Sequence, residues 1–115
     1  MITLLHNARC SKSREALKIL TKAGKKFVVR EYLKNTLDYG ELLVLQEKLW
    51  LKAIEFTRMK EDEFEQNNLT KDSTDEQILK TMKRFPKLME RAIVYDDNKA
   101  FICRPVEDVL KIFRK

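Results

Sequence analysis

The chain has 115 residues, of which 43% are hydrophobic and 37% charged, and carries a formal net charge of +6. That is apolar material for one domain with a proper core, and only two glycines and two prolines exclude a loop-rich or disordered chain. Two cysteines do not make a disulfide framework, and no apolar run approaches the ~20 residues needed to span a bilayer.

Met1 leads straight into a strand-like run ending at His6, with no signal-peptide pattern. The expectation is a soluble, cytoplasmic protein with no membrane partner. The positive charge suits an anionic partner. Lysines and arginines are spread along the chain, without arginine–glycine repeats or zinc-finger spacing, so nothing specific points to nucleic acid.

In chain order, residues 2–6 read as a strand apolar enough to be buried on both faces. Ala16, Ile19, Leu20 and Ala23 then recur at helical spacing in a run that opens at Ser11, and Gly24 is a natural terminator. Lys26 to Tyr32 is rich in β-branched and aromatic residues and predicts a second strand. Strand, helix and strand together have the size of a right-handed βαβ unit.

From Thr36 the character changes. Leu42, Leu45 and Leu49, widened by Leu43 and Trp50, predict a helix over 37–50, and two shorter helices are expected over 51–58 and 61–68. Ser73-Thr74-Asp75-Glu76 reads as a capping box opening a helix that carries Ile78, Leu79 and Met82 and ends before Pro86. Trp50, Phe56, Phe64 and the methionines are the expected core of this helical block. Residues 92–95 and 99–103 then predict two strands joined by a tight turn at Asp97-Asn98, and Pro105 is placed to begin a final helix carrying Val106, Val109, Leu110 and Phe113.

The chemistry concentrates at His6-Asn7-Ala8-Arg9-Cys10-Ser11-Lys12-Ser13-Arg14. Cys10 falls where the first strand turns into the first helix, facing unpaired N–H groups and the positive end of the helix dipole. That terminus favours an anion by about 0.3–1 kcal/mol, at most about 2, so the cations Arg9, Lys12 and Arg14 and a hydrogen bond to sulfur must supply the rest of any thiolate stabilisation. Ser13 is a candidate donor, and His6 lies four positions upstream. Cys103, on a strand beside Phe101, reads as a buried thiol. No metal-ligand spacing, glycine-rich phosphate loop or Ser-His-Asp set competes.

The nine-residue stretch resembles the His-Asn-x-x-Cys-x-x-Ser-Arg signature of the glutaredoxin-dependent arsenate reductase family. Leu88-Met89-Glu90-Arg91-Ala92-Ile93-Val94 and Arg104-Pro105-Val106-Glu107-Asp108-Val109-Leu110 are similar to that family's two later blocks, in the same order. The resemblance runs from about Ile2 to Phe113 and is closest to the short branch of the family, which is related to Spx-type regulators. It implies an α/β, thioredoxin-like fold, β-α-β then β-β-α, in a single domain. Residues 1–35 and 86–115 would form the thioredoxin-like core and 36–85 an all-helical insertion between the second and third strands.

The resemblance also implies that Cys10 attacks arsenate, that glutathione attacks the resulting adduct, and that glutaredoxin helps release arsenite. His6, Ser13 and Arg14 would support the thiolate, while Arg58, Arg91 and Arg104 would bind the oxyanion. No bound cofactor or metal is expected, glutathione serves as co-substrate, and the chain is expected to be a monomer. One position departs from the pattern: Ala92 stands where the family has a proline held in cis. Without proline a cis bond costs about 3–4 kcal/mol, so the Arg91–Ala92 bond is expected to be trans, or cis at considerable strain.

Two rival readings remain. A non-enzymatic Spx-like regulator binding RNA polymerase would need a Cys-x-x-Cys switch, whereas this chain has Cys10-Ser11-Lys12-Ser13. A general monothiol oxidoreductase acting on glutathione mixed disulfides has no use for an arginine trio.

Overall fold

Strand β1 (Ile2–His6) has neighbours on both sides, which is why four of its five residues are buried. The computed structural model describes residues 1–114 and sets four strands in the order β2-β1-β3-β4. β2 (Phe27–Glu31) runs parallel to β1, with Ile2 opposite Phe27 and His6 opposite Glu31. β3 (Ile93–Tyr95) runs antiparallel to β1, pairing Leu4 with Val94, and β4 (Ala100–Ile102) closes a hairpin on β3. The hairpin turns at Asp97-Asn98 as expected. Asp96 N–H donates to Lys99 O at 2.9 Å, and the Asp96 carboxylate accepts from the N–H groups of Asn98 and Lys99.

Helix α1 (Ser11–Lys22) buries Ser13, Ala16 and Leu20. Ala23 is the exposed C-cap rather than part of that face, and Gly24 follows at φ +70°, a conformation glycine adopts without cost. The final helix is a 3-10 helix, Val106–Phe113, and Pro105 sits at its N-cap instead of within its first turn. Leu4, Leu20, Val94, Val109 and Ile112 form one apolar cluster with Ala16, Ala92, Cys103 and Val106. Each such large side chain contributes about 1.5–3 kcal/mol by leaving water, and cutting Leu20 back to alanine would cost about 2–5.

The chain divides into two compact units, one of Met1–Asn35 with the chain from Arg91 onward, the other of Thr36–Glu90. In the second, α2 (Tyr39–Leu49) is capped by Asp38, which exchanges hydrogen bonds with Glu41, and buries Leu42, Leu45 and Leu49. Trp50 does not join that stripe. It is the left-handed C-cap, at φ 59°, and is 89% exposed because the reversal swings its ring off the buried face.

The two short helices are shorter than expected: a 3-10 helix at Ala53–Phe56, and α3 at Asp62–Gln66, beyond which Asn68 takes a positive φ that stops propagation. Helix α4 (Asp75–Arg84) begins one residue later than its sequence suggests. Thr74 and Gln77 form its capping box, because the Ser73 hydroxyl is already accepting the Thr70 N–H. Phe56, Phe64, Met82 and Met89 are buried as expected, while Met59 is half exposed. A bridge between Thr57 and Met89 ties the middle of this unit to its last residues, and the Asp75 carboxylate accepts from Gln46 and from Ala53 N–H. No helix among the described residues is long and apolar enough to cross a membrane.

Candidate active site

At the carboxyl end of β1 the chain turns tightly. Cys10 N–H donates to Asn7 O at 3.0 Å, and the Asn7 side chain accepts Arg9 N–H at 3.0 Å, so a short polar residue scaffolds its own turn. Cys10 is then the N-cap of α1, with extended backbone, and its carbonyl accepts Arg14 N–H at 3.0 Å. A cysteine cannot cap as serine or aspartate does, and no side chain caps this helix; its first turn also holds no acid. The N–H groups of the first turn therefore face the thiol end with their dipoles unanswered by an acid, a ready-made site for negative charge. Cys10 itself is 7% exposed.

Ser13 holds this turn in place, by a route different from the expected one. Its hydroxyl oxygen accepts Asn7 N–H at 2.9 Å and lies 2.7 Å from His6 Nδ1, so it is engaged with the loop and the imidazole rather than with sulfur. His6 and Ser13 are both buried, so the pair fixes β1 to the first turn of α1. Arg14 donates from Nη1 to Ala8 O at 2.8 Å and clamps the crown of the same turn. All three residues shape the Cys10 loop.

Arg91 and Arg104 come together in the sheet unit. Cys103 N–H donates to Ala92 O at 2.9 Å, which sets the two segments side by side. Both arginines, with Lys12 from the first turn of α1, line a pocket of about 290 Å³ that also touches Cys103, Pro105 and Val106. Its charged lining is three cations and no carboxylate. Sequence reasoning assigned Lys12 only a general field, since nothing local to it reveals that Arg91 and Arg104 lie opposite.

Of the two forms expected for the Arg91–Ala92 bond, the structure has the one that local cost disfavours: it is cis, as is Arg104–Pro105. Ala92 is fully buried and its carbonyl is taken by Cys103, tertiary contacts that a single-bond cost does not weigh.

Arg58 belongs to the helical unit. Its Nη2 pairs with Glu61 at 2.6 Å, its Nη1 donates to Lys87 O at 3.3 Å, and its backbone N–H is bonded to Leu88 O. Glu61 is also 4.0 Å from Lys87, whose ammonium pairs with Glu63 at 2.6 Å. Cys103 lies in the apolar cluster, and burial, with the Asp108 carboxylate adding to it, pushes its thiol up to about 12. Among the described residues no group of three or more His, Cys, Asp or Glu side chains is arranged to hold a metal.

A four-stranded mixed sheet, a cysteine at the first strand-to-helix turn and a helical block between β2 and β3 define a thioredoxin-like α/β protein. The ArsC family model matches residues 5–112. The chain is 42% identical over 113 residues to the protein YfgD of Escherichia coli K12, covering 96% of this chain and 95% of that one. It is 36% identical over 110 residues to a protein named arsenate reductase from Neisseria meningitidis serogroup A, covering 94% of each. A solved structure titled arsenate reductase, from Vibrio cholerae, superposes with a TM-score of 0.92 at 35% identity over 97% of both chains. The chain belongs to the ArsC family.

Proposed function

We propose that the protein is a thiol-dependent arsenate reductase in which Cys10 is the nucleophile and Lys12, Arg91 and Arg104 bind the oxyanion. The observation that carries this reading is the pocket of three cations without a carboxylate, one of them two residues beyond the Cys10 N-cap. Guanidinium forks donate paired hydrogen bonds to a tetrahedral oxyanion, and a helix terminus adds N–H donors to it. The names of the relatives support the same substrate. Arg58, the third arginine implied by the family pattern, is paired with Glu61 within the helical unit.

The chemistry balances as follows. The Cys10 thiolate bonds to arsenic and one arsenate oxygen leaves as water, taking a proton from solvent and one from the arsenate. Glutathione then bonds to arsenic through its sulfur, and a second oxygen leaves as water. The glutaredoxin thiol attacks the glutathione sulfur, forming a mixed disulfide. The electron pair of the broken sulfur–arsenic bond stays on arsenic, reducing it from As(V) to As(III). Water then releases arsenite and returns Cys10 as a thiol. Positive charge fixed in advance around the anion lowers the cost of bringing a thiolate to it. His6, Ser13 and Arg14 position the loop that carries Cys10, and no bound cofactor takes part.

The test is arsenite release by the purified chain with glutathione and glutaredoxin, alongside the rate of Cys10 alkylation with and without arsenate. Arsenate should slow alkylation and arsenite should accumulate. Unprotected Cys10 together with no arsenite would remove the reading.

A further inference from the structure

The Cys10 loop lines a second pocket, which shares no lining residue with the cationic one. The cationic one lies toward β3 and β4. The other, of about 310 Å³, opens beyond the carboxyl ends of the parallel strands β1 and β2, where His6 and Glu31 are register partners. That is where open α/β sheets commonly receive ligands, and the volume lies at the small end of the ligand-pocket range. Ala8 and Arg9, the two residues before Cys10, form one wall, and Glu31, Leu33 and Lys34 form the other.

The charges differ from those of the cationic pocket. Arg9 and Lys34 are exposed cations, Glu31 is a half-buried carboxylate, and Leu33 offers apolar surface. Among the described residues, none of the three charged side chains is engaged in a side-chain hydrogen bond or ion pair. A carboxylate in the lining repels a dianionic oxyanion, so this is not a second arsenate site. Two cations and one anion suit the reverse pattern: a small ligand with two carboxylates and one ammonium.

We propose that this pocket docks the reducing thiol, a small zwitterionic peptide thiol of the glutathione type. Arg9 and Lys34 receive its carboxylates, Glu31 receives its ammonium, and Leu33 and Ala8 lie along its methylenes. The proposal rests on the function proposed above and adds the place and charge pattern of the second substrate. The docked thiol is the one that bonds to arsenic, with the bonds made and broken as already given. At these exposed side chains the attraction is modest and weakens with salt.

The experiment uses S-methylglutathione, which binds without reacting, followed by amide chemical shifts of the whole chain. Shifts should cluster at Arg9, Glu31 and Lys34, and the variant Lys34→Glu should weaken binding by about fivefold. In turnover, the same variant should raise KM for glutathione by about fivefold and leave KM for 2-mercaptoethanol, which carries no charge to read, within about twofold. Shifts elsewhere or none, or equal changes in KM for both thiols, would overturn the subsite. Arsenate protection of Cys10 is read separately. If protection fails while S-methylglutathione still binds here, the arsenate reading falls and the thiol pocket stands; if protection holds and the shifts are absent, the reverse follows.

Discussion

The two cysteines are nearly equal in burial, Cys10 at 7% exposed and Cys103 at 2%, yet they sit in opposite electrostatic worlds. Cys10 caps a helix whose first-turn dipoles point at it and whose sequence places Lys12 and Arg14 just beyond. Cys103 lies among Leu4, Val94 and Val109, with the Asp108 carboxylate near enough to oppose an anion. Depth therefore does not distinguish the two thiols in this fold. What distinguishes them is the set of dipoles and charges around each sulfur.

The largest test of that contrast is direct. Cys10→Ser should cut arsenite release to background, at least about 10³-fold, whereas Cys103→Ala should stay within about threefold. An inactive Cys103→Ala protein that still folds would break the comparison and make Cys103 a resolving thiol. Next come the cations. Arg91→Ala and Arg104→Ala should each raise the KM for arsenate by about 10–100-fold, and Lys12→Ala by less than about tenfold, since a point charge lacks the paired donors.

Ser13→Ala sharpens the Cys10 side by removing its scaffold. It strands the Asn7 N–H and the His6 ring, and should cost about 1–3 kcal/mol in urea unfolding. On the Cys103 side the readout is pH. A free thiol loses its proton near ~8.5, while Cys103 holds its own to about 12 in the folded chain. Between those values the unfolded chain has fewer bound protons, so stability falls as pH rises through the window. Urea midpoints should show a decline that is shallower in Cys103→Ala. The smallest effect is a control: Thr74→Ala loses a helix cap for about 1 kcal/mol and should leave the Cys10 alkylation rate unchanged.

How far the sequence reaches differs along the same line. The β1 strand, the α1 stripe apart from Ala23, and the Cys10 cap are local patterns, written in spacing and residue type, and they read correctly. Cys103 reads correctly as buried because it sits in an apolar run. What escapes is set by geometry between distant residues. Ser13 serves His6 and Asn7 because of how the turn folds back. Lys12 meets Arg91 and Arg104 only once β3 pairs with β1. Ala92 keeps a cis bond within tertiary contacts, against its local preference. Trp50 joins the apolar stripe in a helical count, but the helix ends on it with a positive φ.

The pairing of Leu4 with Val94 has a further consequence, for the order in which the molecule is made. The sheet is assembled from the first and last parts of the chain, whereas Thr36–Glu90 is one contiguous segment. Long-range strand pairing forms slowly, because the intervening loop must close first. On the ribosome, β1, the Cys10 turn, α1 and β2 emerge early and wait without their antiparallel neighbour. The helical segment can collapse during that interval. The arginine pocket comes into being only when Arg91 and Arg104 have been synthesised, so a truncated chain would carry Cys10 and Lys12 without it.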